Sequence, residues 1–227
     1  MERLRSQPEV SPAAKPLRIA FLASHNGTDM RAIIGAIAAG TLNAEVAIVI
    51  SNNPVAPALD FARQHGAPTS HISQTTVGPE GNVDRAIAEE LEKNGADIVV
   101  LCGYMKKIGP ETLKAFEGRI LNVHPALLPD LKGHWGDAIH KEVLRRRRDN
   151  PDNPEFAWTG ATIHIVDEEY DHGEHILQER VAVCADETPE GLKARIQALE
   201  ITMWMDVLQD IIAGRLILGK ERAPLRR

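Results

Sequence analysis

Apolar runs alternate with amphipathic segments along the first half of the chain. Runs of aliphatic and β-branched residues predict strands at 18–24, 44–51, 69–72 and 97–102, and at the beginning of the stretch 119–129. Segments with apolar residues at helical spacing predict helices at 29–39, 57–65, 82–94 and 110–116. Parallel strands are buried on both faces and therefore form near-continuous apolar runs. The pattern predicts an α/β fold, a single open, mostly parallel twisted sheet with helices on both faces.

The second half of the chain continues the same sheet. The segment 160–166 alternates apolar and polar residues as a half-buried strand does, and 176–183 is a further strand. Helices are predicted at 138–148 and 188–212, separated from one another by these strands. A polar excursion with prolines at 149–154 supplies no core residues. We expect antiparallel strands here rather than a second independent domain.

Composition excludes several classes of function. The 227 residues are 43% hydrophobic and carry a net charge of −6, which indicates a globular protein without a surface for nucleic acid. The basic run Arg145–Arg148 is more typical of a solvated helix end. No apolar stretch has the length of a membrane span or the form of a signal peptide. Cys102 and Cys184 lack metal or redox spacing, which predicts reduced core cysteines in a cytoplasmic protein.

A polar pair follows the apolar run that begins at 119. Asn122 and His124 are two residues apart and would share one face of a strand, and Pro125 and Pro129 stiffen the segment that follows. An amide and an imidazole can stabilise an oxyanion and move a proton. The alternative is a core histidine bonded to the backbone. The position at a strand end favours a function, because open parallel sheets bind ligands at that edge.

The turn after the first strand is a second candidate. Ser24 to Asp29 (Ser-His-Asn-Gly-Thr-Asp) leads from a strand into a helix, for which Thr28 is a suitable N-cap. Free N–H groups and the positive end of a helix dipole bind phosphate at such places. The sequence matches neither the dinucleotide fingerprint nor the Walker loop, so an ordinary β–α turn stays open as the alternative.

Six of the nine histidines lie between 124 and 175, which suggests a metal-dependent hydrolase. They are His124, His134, His140, His164, His172 and His175. Their spacing lacks a definite zinc-ligand pattern, so no metal is expected. Asp171, in the acidic loop 167–173, could instead orient an imidazole and favour its charged form.

The run Asn122 to Pro129 (Asn-Val-His-Pro-Ala-Leu-Leu-Pro), with Asp171 downstream, resembles the folate-dependent formyltransferase family. The resemblance extends over 17–216 and leaves tails at 1–16 and 217–227. It implies a Rossmann-like domain with a nucleotide-binding first half, a folate-binding second half and an insertion at 134–158.

The activity implied by the resemblance is the transfer of formyl from 10-formyltetrahydrofolate to the amine of glycinamide ribonucleotide, in purine biosynthesis. Asn122 and a protonated His124 would stabilise the oxygen of the tetrahedral intermediate, and Asp171 would raise the pKa of His124. The implied partners are these small molecules, without a metal, nucleic acid or membrane, and a homodimer is one assembly that fits.

The resemblance also implies binding residues. The acceptor phosphate would be bound by Gly27, Thr28 and Asp29, and its ribose by Glu200 with Gln197 one turn earlier. The folate would contact, largely through backbone groups, Met105, Lys106, Lys107, Ile108, Asn122, Asp167, Glu168, Glu169, Tyr170 and Asp171.

Three features depart from the family pattern. Asp29 stands where relatives usually have asparagine, and we expect its carboxylate to turn and cap the helix while Arg31 compensates its charge. Glu80 stands where many relatives have a folate-contacting arginine, and 134–158 is longer than in short bacterial versions. An amino-sugar N-formyltransferase, a 10-formyltetrahydrofolate hydrolase and a non-catalytic ligand-binding module therefore stay open as alternatives.

Overall fold

One sheet organises the part of the chain that the computed structural model describes, residues 15–134, 136–184 and 186–219. Its strands are β1 (Leu17–Leu22), β2 (Ala44–Ser51), β3 (Thr69–His71), β4 (Ile98–Leu101), β5 (Ile120–His124), β6 (Trp158–Ile165) and β7 (His175–Ala182). They lie in the order β3-β2-β1-β4-β5-β6-β7. Strands β1 to β5 are parallel, whereas β6 is antiparallel to both β5 and β7. The predicted open, mostly parallel sheet with antiparallel strands in the second half is confirmed.

Helices cover both faces of this sheet. They are α1 (Thr28–Ala38), α2 (Pro57–Gln64), α3 (Gln74–Val77), α4 (Val83–Lys93), α5 (Pro110–Ala115), α6 (Asp137–Asp149) and α7 (Pro189–Ile212), with a short 3-10 helix at Pro154–Ala157. Residues of α1, α2, α6 and α7 belong to one hydrophobic cluster, and residues of α4 and α5 belong to the other. The sequence did not predict α3 or the 3-10 helix, because a single turn is too short to show helical periodicity.

Strand β1 shows why the apolar runs are continuous. Ile19 and Phe21 pack in the cluster with α1 and α7, while Ala20 and Leu22 pack in the cluster with α4. All four side chains are fully buried, as expected for a parallel strand between two helical layers.

The sheet has a topological switch point between β1 and β4. Strands β2 and β3 lie on one side of β1, and β4 and β5 lie on the other. The loops after β1 and β4 therefore diverge and leave a crevice at the carboxyl edge, where open α/β sheets bind their ligands. Strand β5 ends at the same edge, beside β4.

The segment 134–158 packs on the sheet through α6. Ile139 and Leu144 are buried in the same cluster as α7, and Lys193 of α7 pairs with Asp137 at 2.8 Å. Its identity as an insertion stays a prediction, and position 135 lies outside the described residues.

The basic run at the end of α6 is largely paired within the chain. Arg145 contacts the carboxylates of Glu142 and Asp149, and Arg146 contacts those of Glu142 and Asp130, all within 2.8 Å. These contacts support the interpretation of a solvated helix end.

Two further expectations can be compared with the structure. Cys102 is buried, but Cys184 is exposed, so the prediction that both lie in the core is wrong for Cys184, which follows the edge strand β7. None of the helices in the described ranges combines the length and the apolar character that crossing a bilayer requires. Residues 1–14 and 220–227 of the predicted tails lie outside the described residues.

Candidate active site

Asn122 is oriented by the antiparallel strand beside it. The register of β5 and β6 places Asn122 opposite His164, and Asn122 Nδ2 lies 3.1 Å from His164 Nε2. His164 Nδ1 lies 2.9 Å from the carbonyl oxygen of Ile165; in the tautomer with the proton on Nδ1, Nε2 accepts from Asn122. One amide proton of Asn122 is therefore bonded to His164, and the other is available to a ligand.

His124 is buried two residues further along the same strand. Its side chain is 3% exposed, and Nδ1 lies 3.4 Å from Asp171 Oδ2. Nε2 is buried and has no hydrogen-bond partner within the described part of the chain. Buried polar atoms are nearly always paired, so an unpaired one marks a place for a ligand or a catalytic role. With a proton on Nδ1, which lies 3.4 Å from Asp171 Oδ2, the neutral ring offers Nε2 as a proton acceptor.

Burial decides the charge of His124 in the free protein. Desolvation lowers the pKa of His124 below its ordinary value of 6.5; Asp171 raises the pKa, and His164 and His134 lower it. The protonated His124 expected for the tetrahedral intermediate stays a prediction, and Asp171 acts on the pKa of His124 in the expected direction. At neutral pH this imidazole is a base.

Asp171 joins the two histidines. It adopts a left-handed backbone conformation (φ 50°), its Oδ2 accepts a hydrogen bond from the N–H of Gly133 at 3.0 Å, and Oδ1 lies 3.6 Å from His164 Nε2. Burial raises the pKa of this carboxyl, but the histidine rings and the Gly133 N–H outweigh burial, so its pKa lies below the ordinary value. Asp171 is thus an anion beside His124.

The loop that follows β5 is fixed by side chains of β6 and β7. Thr162 Oγ1 donates to the carbonyl of Ala126 at 2.8 Å and accepts from the N–H of Leu128 at 3.1 Å. Gln178 Nε2 donates to Thr162 Oγ1 and to the carbonyl of Leu128. These bonds hold the proline segment in place next to His124.

The turn after β1 requires glycine at its last position. Gly27 is the N-cap of α1 and has φ 60° and ψ 55°, a left-handed conformation. A Cβ on Gly27 would lie 3.3 Å from Met30 Cε and 3.4 Å from Ala58 Cβ. No side chain within the described ranges caps α1, so its first N–H groups stay available to an anion.

Thr28 and Asp29 differ from the expectation. Thr28 is the first residue of α1 and not its N-cap, because Gly27 takes that position. Asp29 does not cap the helix either, since its side chain is 8% exposed and packs toward α7. Arg31 does not compensate the charge of Asp29 by an ion pair in the described residues, and its guanidinium instead lies 4.6 Å over the Phe61 ring of α2.

Asp29 and Glu200 form a buried acid pair between α1 and α7. Burial raises the pKa of Glu200 well above the ordinary value, and the charge of Asp29 adds to the shift. Burial also raises the pKa of Asp29 to about 6, opposed by the indole of Trp204. The pair therefore keeps a proton at pH values where ordinary carboxyls have lost theirs. Gln197, one turn earlier on α7, is half-buried.

Asp29→Asn is expected to raise the melting temperature of the protein. The unfolded state releases the Asp29 proton near pH 3.8, whereas the folded state keeps it until about pH 6, so stability is lost as pH rises between these values. The neutral amide should raise the free energy of unfolding by about 2–3 kcal/mol at pH 7.5, which corresponds to a melting temperature several degrees higher. At pH 4.5 the increase should be smaller. Thermal unfolding at both pH values measures this. An equal gain at both would contradict the assignment of the shift to this carboxyl.

The loop after β4 is tied to the end of β1 and reaches the acidic loop. The N–H of Met105 donates to Ser24 Oγ at 2.8 Å, and Lys107 Nζ lies 5.9 Å from the ring centroid of Tyr170. The structure thus brings the two predicted folate-binding loops together beside the crevice. Met105 is 46% exposed and Tyr170 is 59% exposed, so both offer apolar surface to a planar ligand.

The remaining residues of the predicted folate loops occupy less distinctive places. Ile108 is buried, whereas Lys106 and Glu168 are exposed. Asp167 Oδ2 lies 2.8 Å from His172 Nδ1, and Glu169 pairs with Lys132. The carboxylates of Asp167 and Glu169 thus pair with nearby basic side chains, and contact of these loops with folate through backbone groups stays a prediction.

The histidines between 124 and 175 do not assemble into a metal-binding group. No set of three or more histidine, cysteine, aspartate or glutamate side chains in the described ranges is arranged to hold a metal ion. His124 and His164 flank Asp171 instead, and His140 is buried in α6.

Comparison with known families agrees with this geometry. The family model described as formyl transferase matches residues 17–208. The chain belongs to the formyl transferase family. The family resemblance found from the run at 122–129 is confirmed, and the match extends over all seven strands and most of α7.

Named relatives of this formyl transferase chain have similar length in bacteria and greater length in plants. The phosphoribosylglycinamide formyltransferase of Haemophilus influenzae is 33% identical over 208 residues, which cover 92% of this chain and 93% of that protein. The chloroplastic enzyme of the same name from Vigna unguiculata is 32% identical over 210 residues, and the chain spans 65% of its length. The solved phosphoribosylglycinamide formyltransferase of Coxiella burnetii superposes with a TM-score of 0.79 at 33% identity, covering 90% of each chain.

The structure brings together, in two clusters, five of the residues that the sequence predicted for this formyl transferase. Asn122, His124 and Asp171 form one cluster, and Asp29 and Glu200 form another. The sequence placed His164 only among possible metal ligands and missed its bond to Asn122. The available signal was a histidine within the segment 160–166, which alternates apolar and polar residues as a half-buried strand does.

Proposed function

We propose that this formyltransferase transfers the formyl group of 10-formyltetrahydrofolate to the amine of glycinamide ribonucleotide. The observation that carries the proposal is the convergence of Asn122, His124 and Asp171 at the same sheet edge as the uncapped N-terminus of α1. The first group suits a developing oxyanion and a proton in transfer, and the helix terminus suits a phosphate. An acceptor with both an amine and a phosphate ester fits the two. The names of the relatives support the same acceptor.

The first step is attack of the acceptor amine on the formyl carbon. A C–N bond forms, the carbonyl electron pair moves to oxygen, and the amine loses a proton. The free Nε2 of His124 is the base that takes this proton, because its ring is neutral and Nδ1–H is directed to Asp171. The second amide proton of Asn122 then bonds to the oxyanion.

In the tetrahedral intermediate, the positive charge that His124 has gained stabilises the negative charge on oxygen. The imidazolium Nε2–H donates to the oxyanion or to N10 of the folate, while the anionic Asp171 stabilises the ring cation at 3.4 Å. When the C–N10 bond breaks, its electron pair stays on N10 and the proton is delivered there. Asp171 stays ionised throughout, since its pKa is lowered in this site.

The two substrates would enter from opposite sides of this centre. The phosphate of the acceptor lies at the first turn of α1, with Thr28 beside it, and its ribose lies against Glu200 and Gln197 of α7. The folate ring lies between the exposed faces of Met105 and Tyr170. In this arrangement the amine and the formyl carbon meet next to His124.

Gly27→Ala is expected to weaken binding of the acceptor with little effect on the chemical step. Alanine pays a conformational cost at φ 60°, and its Cβ would press on Met30 and Ala58, so the first N–H groups of α1 shift. We expect the KM for glycinamide ribonucleotide to rise about tenfold, which corresponds to about 1.4 kcal/mol, with kcat within about twofold. Steady-state kinetics at saturating 10-formyltetrahydrofolate measures both constants. Gly40→Ala, also at positive φ (71°) but with open space around it, serves as the control.

One assay tests the proposed function against its alternatives. The protein is mixed with 10-formyltetrahydrofolate, and folate release is followed with glycinamide ribonucleotide, with an amino-sugar nucleotide, and with water alone. Release that depends on glycinamide ribonucleotide supports the proposal. Release only with the amino-sugar nucleotide would assign the protein to a different transferase, and release with water alone would assign it to a hydrolase. No release with any of the three would assign it to a binding module. Activity that a chelator abolishes would instead favour metal chemistry.

The cytoplasmic location and the homodimer stay predictions. The two free cysteines support the location, because a reducing compartment keeps thiols unpaired. Size-exclusion chromatography with light scattering tests the assembly.

A further inference from the structure

The buried acid pair lies next to the proposed phosphate site. Asp29 is the second residue of α1, whose first N–H groups have no side-chain cap. Its Oδ1 is fully buried and has no hydrogen-bond partner among the described residues, and the same is true of Nε1 of Trp204. Glu200 of α7 is 6% exposed, and the charge of Asp29 raises its pKa. A carboxyl oxygen left unpaired in this position is costly unless a proton or a ligand supplies its partner.

The groups around Asp29 give its charge little compensation. From α7 it meets the Glu200 carboxyl and the Trp204 indole, and from the end of β4 it meets the Cys102 thiol. The thiol is itself affected: burial raises the pKa of Cys102, and the charges of both carboxylates raise it further. Arg31, the next cation along α1, is turned toward α2. The dipole of α1 is therefore the main positive feature on this side of the pair.

We propose that Asp29 sets the charge state in which the acceptor site binds a phosphate ester, because the Asp29–Glu200 pair takes up one proton when the phosphate binds. This inference rests on the proposed function, which places the phosphate at the first turn of α1. A phosphate dianion beside a carboxylate is repelled, whereas a protonated carboxyl offers an O–H donor. Asp29 is thus a specificity-determining residue of the acceptor site.

The consequence concerns binding and not the chemical step. Binding that takes up one proton becomes weaker as the pH rises. Above the pH range in which the free Asp29–Glu200 pair is protonated, the dissociation constant of the acceptor rises by up to tenfold for each pH unit. Two phosphate charges nearby shift that range upward in the complex. His124 and Asp171 lie at the end of β5 and on the loop after β6, so the turnover of the saturated enzyme should not follow this dependence.

Calorimetric titration with glycinamide ribonucleotide tests the inference. The titration is run at pH 7.5 in two buffers of different ionisation enthalpy, which yields the number of protons taken up on binding. Wild type is expected to take up about one proton more than Asp29→Asn, and the affinity of the variant should depend less on pH. Protons taken up or released by the phosphate and the amine of the ligand contribute equally to both titrations, so the difference between the two proteins excludes them. Asp60→Asn, an exposed carboxylate in the first turn of α2, should behave as wild type.

The possible results separate this inference from the proposed function. Equal proton uptake in wild type and Asp29→Asn, with binding in both, overturns the inference alone. Absence of binding and of formyl transfer in both proteins overturns the proposed function and the inference with it. Asp29→Ser replaces Asp29→Asn should the amide variant fail to fold, because it also removes the carboxyl group. A further check is kcat measured at saturating substrates over the same pH range. If kcat followed the same pH dependence as the dissociation constant, the assignment of the effect to the acceptor site would be contradicted.

Discussion

His124→Ala is expected to lose most of the formyl transfer activity while keeping the fold. The variant removes the buried Nε2, which in the proposed mechanism takes the amine proton and later donates it to N10. A positioned general base typically contributes about 10²- to 10⁴-fold. We expect kcat to fall by about 10³-fold, with KM for both substrates within a few fold. Burial lowers the pKa of this histidine, so the acid limb of the wild-type profile of kcat/KM against pH should lie below pH 6.5 and disappear in the variant.

A second buried histidine provides the control. His140 is buried in α6 and makes no contact with Asp171, so His140→Ala should keep kcat within about twofold even if its melting temperature falls. Circular dichroism and thermal unfolding establish that both variants fold. A His124→Ala enzyme with near wild-type turnover would refute the role assigned to His124. Equal losses in the two variants would point to a structural effect instead.

Asp171→Asn is expected to reduce kcat by about a hundredfold and to move the acid limb of the pH profile. The carboxylate raises the pKa of His124, so its removal should lower that pKa further and shift the acid limb to lower pH. The imidazolium of the intermediate also loses its counter-charge at 3.4 Å. Profiles of kcat and kcat/KM measured between pH 5 and 9 show both effects.

Asp130→Asn is the matched comparison for this variant. Asp130 is an exposed carboxylate in the loop that follows β5 and pairs with Arg146, away from the imidazoles. It should leave kcat and the acid limb unchanged. An acid limb that stays in place in Asp171→Asn, or that moves to higher pH, would show that Asp171 does not act through the charge of His124.

The sequence was sufficient for the fold because its strands are buried on both faces. The apolar run at 44–51 coincides with β2, and the runs at 18–24 and 97–102 coincide with β1 and β4 to within two residues. The predicted antiparallel continuation is also confirmed in β6 and β7. Buried parallel strands have a strong, nearly context-free apolar signal, and so their positions could be predicted from composition along the chain.

The electrostatics of the site could not be predicted in the same way. The sequence places Asp171 downstream of His124, and its contact with His124 is observed in the structure, but the sign of the net shift depends on how deeply the imidazole is buried. The capping role expected of Asp29 failed for a related reason. A capping carboxylate is a local property, whereas the packing of α1 against α7 is set by residues about 170 positions away. Charge states follow tertiary burial, which local sequence does not encode.

The pairing of Asn122 with His164 places the proposed chemical groups on the sheet, whereas the proposed acceptor-binding groups lie on helices. The proposed chemical groups are mounted on the sheet, where the pairing of β5 with β6 fixes the direction of the Asn122 amide. The proposed acceptor groups are mounted on α1 and α7, which meet on one face of that sheet. Substitutions at this helix pair can therefore alter which amine is recognised while the formyl-transfer apparatus keeps its geometry. For a laboratory that seeks a new acceptor, the α1–α7 contact is the place to build diversity, and strands β5 and β6 are the part to leave unchanged.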